Sequence, residues 1–161
     1  GFRKHFGHLV QLLLKRGVLK KHLRNGPRDL VGYQRDPRAL FVASLLELGM
    51  TEARASGQAL AWSPERTGYS FWHRTDDGEW ALFPDSSIYR HRSFEGKTEL
   101  RDVLLDGRGL RLGERVQLPP YGLRGTLELT IAGGDARIVL RGGALGRILL
   151  RRDPDPPFYA G

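Results

Sequence analysis

From Gln58 to Arg152 the chain is a succession of short strand-like runs cut by turn residues, and this spacing constrains the fold more than any other feature. The runs are Gln58–Ser63, Gly68–Arg74, Glu79–Phe83, Ser87–Phe94, Arg115–Leu118, Gly125–Ile131, Ala136–Arg141 and Arg147–Arg152. Between them lie Pro64 to Gly68, Asp76-Asp77-Gly78, Pro84-Asp85-Ser86 and Ala132-Gly133-Gly134-Asp135, whose residue types suit chain reversals. Such spacing predicts antiparallel meanders. Thr98–Leu105 fits a strand or a helix equally well.

The N-terminal part reads as helical. Phe2, Phe6, Leu9, Val10 and Leu13 recur at three- and four-residue steps through Arg16, while Lys4, His8, Gln11 and Lys15 share the opposite face. Gly17 breaks the phase, and a second short helix is expected to about Arg24, before the stop signal Asn25-Gly26-Pro27. Asp36-Pro37 matches an N-cap followed by proline at the first helical position. That helix is expected to run to about Leu48, with Leu40, Phe41, Ala43, Ser44, Leu45 and Leu48 as its buried stripe. Gly49 ends it, and Thr51 caps a further turn through Ala55.

The fold class expected is therefore α+β: two or three N-terminal helices packed on an antiparallel β-sheet of about seven or eight strands, folded as a sandwich or barrel. The expected parts are a basic helical segment at 1–57, an antiparallel β domain at 58–152 and an extended tail at 153–161. The first two either stand apart or pack as one unit.

Charge matters because it is segregated. The first 38 residues hold ten Lys or Arg against two acids, a surplus equal to the net charge of +8 for the whole chain. A field gathered at one end favours a polyanion, an acidic protein surface or an anionic membrane surface as partner. The sequence contains no cysteine, which excludes disulfides and thiolate metal sites. No apolar run approaches the roughly 20 residues of a membrane-spanning helix. No signal peptide is read at the N-terminus, and a cytoplasmic location is expected.

Two stretches carry candidate chemistry. Lys4, Lys15, Lys20, Lys21, Arg24 and Arg28 are suited to neutralising phosphates without regard to base sequence. Tyr89-Arg90-His91-Arg92-Ser93-Phe94 interleaves aromatics with bases; on a strand Arg90 and Arg92 would share one face, and Tyr89 would offer a ring for stacking. The function expected is that of a small nucleic-acid-binding protein, for RNA or single strands. One alternative is an interaction or toxin-neutralising domain that docks an acidic partner. The other is a metal-independent ribonuclease using His73, His91 and Glu79 as acid–base groups. The sequence favours a non-enzyme over an enzyme, since there is no Gly-x-Ser-x-Gly turn, phosphate loop or dinucleotide fingerprint. No cofactor is expected. His5 and His8 lie one helical turn apart but have no evident third ligand, so no metal is expected either.

Overall fold

The computed structural model describes residues 37–133, 136–143 and 147–152. The helices expected within residues 2–24 lie outside them. Among the described residues there is one helix, not two or three: α1, Pro37–Ser56. Pro37 opens it, where proline's missing N–H costs nothing because no first-turn amide has an intrahelical partner.

The expected stop at Gly49 is corrected, because α1 runs unbroken to Ser56. Gly49 instead lets the helix pack close against the sheet: a Cβ there would lie 3.3 Å from the Phe71 ring and 3.6 Å from Leu118. Thr51 does not cap a new turn; its hydroxyl donates back to the Glu47 carbonyl at 2.9 Å. Residues around most of the α1 circumference are buried, as expected of a helix enclosed by its neighbours.

Ten strands follow: β1 (Leu60–Glu65), β2 (Gly68–Arg74), β3 (Trp80–Leu82), β4 (Arg92–Ser93), β5 (Glu99–Leu105), β6 (Arg108–Gly109), β7 (Val116–Leu118), β8 (Leu127–Gly133), β9 (Ala136–Gly142) and β10 (Ile148–Arg152). All pairings are antiparallel. They form two sheets, one ordered β3-β2-β1-β7 with β4 also on β2, the other β10-β9-β8-β5-β6. The coarse expectation of an α+β chain with antiparallel sheets is met.

Three local readings change. Pro64, expected in a turn, belongs to β1 opposite Tyr69. Its carbonyl accepts from Gly113 N at 2.8 Å, so its missing N–H faces the side where β7 has already ended. Thr98–Leu105 resolves as strand, with a register shift between Arg101 and Leu104 and Asp102 at φ 50°. Ser87–Phe94 is mostly turn: Ser87 N bonds the Pro84 carbonyl, Arg90 N bonds the Ser87 carbonyl, and Tyr89 N bonds the Ser87 hydroxyl. These short-range bonds outcompete a ladder, and only Arg92–Ser93 pairs with β2.

Alternation places Leu127, Leu129 and Ile131 of β8 inside. They join Leu45 and Leu46 of α1, Trp62 and Phe71 of the first sheet, and Leu140 and Leu150 of the second in one apolar core. Two polar contacts tie α1 to the second sheet at its ends. Arg38 donates to the Thr98 hydroxyl near the start of the helix, and Ile148 N donates to the Glu47 carboxylate farther along. Among the described residues no helix is long and apolar enough to cross a membrane.

Candidate interaction groove

A recess of about 520 Å³ lies where the start of α1 meets β4 and the turn before it. Arg38 and Phe41, one helical turn apart on α1, form one wall. Arg90, Arg92 and Phe94 form the other, above Tyr69 of β2. Gly68 makes this arrangement possible: a Cβ there would collide with the Arg92 carbonyl oxygen, so a larger residue would push β4 off β2.

Arg92 is the structural hinge of the groove. Its guanidinium lies 4.6 Å from the centre of the Phe41 ring and donates from Nη2 to the Ile88 carbonyl at 2.9 Å. Its Nε is buried with no hydrogen-bond partner. Burial, then the neighbouring charge of Arg90, hold Arg92 below the ordinary arginine range. Arg90 donates only from Nη1 to the Ser87 carbonyl, at 3.3 Å. The Tyr69 hydroxyl is pushed up to about 12 by burial, against a smaller downward pull from Arg92 and Arg90. Two guanidinium groups thus sit close enough to disturb one another over an aromatic floor.

The other predicted residues go elsewhere. Tyr89 is fully buried, its ring centre 5.3 Å from that of Phe71 and 5.2 Å from that of Phe83. A ring enclosed by two others has no free face on which a base could stack. His73 is also buried, its ring 4.8 Å from Phe83 and its Nδ1 3.3 Å from the Arg74 carbonyl. His91 is half exposed and 3.0 Å from the Glu65 carboxylate, while Glu79 is exposed in the turn that Thr75 closes. The acid–base trio is therefore spread over a core position, a surface contact with Glu65 and a turn. Lys4, His5, His8, Lys15, Lys20, Lys21, Arg24 and Arg28 lie outside the described residues.

Sequence reading placed Phe94 in one aromatic–basic stretch with Arg90 and Arg92 but did not bring Arg38 and Phe41 beside them. The signal available was weak: an Arg and a Phe three apart at a helix start are indistinguishable from ordinary solvent-facing and core residues.

No protein-family model and no curated protein matches the chain. Among solved structures, the fold is similar to that of the minor pseudopilin EpsH from the type 2 secretion system of Vibrio cholerae. The TM-score is 0.57 at 16% sequence identity, over 76% of this chain and 98% of that one. At this identity the likeness is one of fold. The expectation of a nucleic-acid-binding or RNA-binding protein is corrected here: a solved structure with a similar fold is a secretion pseudopilin. The burial of Tyr89 supplies the physical reason within the chain itself.

Proposed function

We propose that this chain is a subunit of a secretion system, with a pseudopilin-type globular domain that works by docking to other subunits. The observation that carries the reading is the extent of the likeness, since nearly the whole EpsH chain, 98%, finds a counterpart here. A fold match that used only a fragment of the neighbour would support shared packing rules and little else. Two sheets with α1 laid against both make a rigid body, and its recessed groove offers a surface for protein contact.

The test is genetic. Deleting the gene in its host should remove a set of proteins from the culture medium, and the full chain supplied in trans should restore them. An unchanged set of released proteins, under conditions where the wild-type chain is made, overturns the reading.

A further inference from the structure

We infer that the groove between the start of α1 and β4 receives an acidic, partly apolar segment of a partner protein, whose carboxylates pair with Arg90 and Arg92. That the partner is another subunit of the same assembly rests on the function proposed above; the chemistry of the groove stands on its own residues.

Charge complementarity carries the inference. Three other arginines of this surface have acid partners: Arg66 and Arg101 share Glu99, and Arg108 pairs with Glu114 at 2.8 Å. Arg90 and Arg92 have no such partner among the described residues, and their guanidinium groups reach only backbone carbonyls. Among the described residues Glu95 is the one acid on the groove wall. Two neighbouring cations without a counter-charge repel each other, and the charge of Arg90 adds to burial, the larger cause, in lowering the basicity of Arg92. A carboxylate entering the groove removes the repulsion and satisfies the forks that Arg presents.

The floor narrows the partner further. Phe41, Phe94 and Tyr69 line the recess, and the Arg92 guanidinium lies over the Phe41 ring. A segment that fits therefore brings an apolar or aromatic side chain along with its acid, the usual make-up of an interface centre with a charged rim. A recess of about 520 Å³ admits side chains, whereas a bilayer presents a flat plane of headgroups.

The full chain is titrated with a short fluorescent peptide in which Glu alternates with Leu and Phe, and with the same peptide carrying Gln for Glu. The Glu peptide should bind more tightly, and its affinity should fall with salt. Arg90→Glu and Arg92→Gln should each weaken it by about tenfold or more, and Arg92→Lys, which keeps charge but loses the fork, by less. Thermal melts of each variant separate lost binding from lost fold; Arg90, whose one side-chain hydrogen bond among the described residues is the long one to the Ser87 carbonyl at 3.3 Å, is the safer probe. Equal affinity for the two peptides, or a folded Arg90→Glu chain that binds as wild type, sinks the inference. So does binding confined to vesicles containing anionic lipid.

The deletion strain separates this inference from the proposed function. If wild type and Arg90→Glu restore secretion equally, the groove is not the docking site although the secretion role stands. If deletion changes nothing but peptide binding depends on Arg90, the groove stands and the secretion role falls.

Discussion

The guanidinium of Arg92 stacks 4.6 Å over the ring of Phe41, joining a two-residue strand to the first turns of the helix. β4 bonds β2 at only Gly68 and Tyr69, so this side-chain contact is a substantial part of what holds it. Replacing Phe41 with Leu keeps apolar volume and deletes the cation–π attraction. The expected loss is about 1 kcal/mol of stability, read as a shift in the urea midpoint with an unchanged slope.

Gly68 and Gly49 should respond differently to alanine. At Gly68 the new methyl meets backbone, the Arg92 carbonyl, and backbone cannot turn aside. Gly68→Ala should cost about 2–3 kcal/mol and loosen β4. At Gly49 the methyl meets the Phe71 ring edge at 3.3 Å, and the tight fit is offset by about 1 kcal/mol of helix propensity. Gly49→Ala should therefore lie near neutral, with Gly49→Ile clearly destabilising. Equal effects of the two alanines in parallel denaturation curves would count against this account of the packing.

Glu52 makes stability depend on pH. It is fully buried on α1, neither carboxylate oxygen has a hydrogen-bond partner among the described residues, and burial pushes it up from 4.5 to about 7. The folded state therefore holds the proton more tightly than the unfolded chain does. Below the unfolded value the group is protonated in both states and costs nothing. Between about 4.5 and 7 stability falls as pH rises, and above about 7 the penalty is complete. Glu52→Gln should be more stable than wild type by about 2 kcal/mol near pH 8 and nearly equal to it near pH 4. A difference of the same size at both pH values would show that the carboxylate is not the cause.

Tyr89 separates a core role from a surface one. Held between Phe71 and Phe83 and wholly shielded from solvent, it should cost about 3–5 kcal/mol when cut to Ala, enough to lower the melting temperature by many degrees. A stacking residue on an open surface would give almost no change in the melt.

The strands were largely legible because alternation and turn chemistry are local. β2 occupies the interval read from the sequence, Gly68–Arg74. Thr98–Leu105 was ambiguous for a reason now visible: the irregularity after Arg101 re-phases β5, so Leu100 and Val103, three apart, both face the core. A bulged strand counterfeits helical spacing. Gly49 misled in the opposite sense, since its lack of a side chain serves close packing on Phe71 and not a helix stop.

The aromatic–basic stretch shows where local reading ends. Residue types from Tyr89 to Phe94 announce rings and cations, but nothing in their order says that Tyr89 turns inward to Phe71 while Arg92 lies across Phe41. Period and turn chemistry, properties of neighbours in the chain, determined by themselves most of the antiparallel strands and the helix opening at Pro37. Only the tertiary structure decided which face of each element is enclosed and which arginines lack a counter-charge, because those depend on residues dozens of positions away. Burial and pairing are relations between segments, and no single segment encodes them.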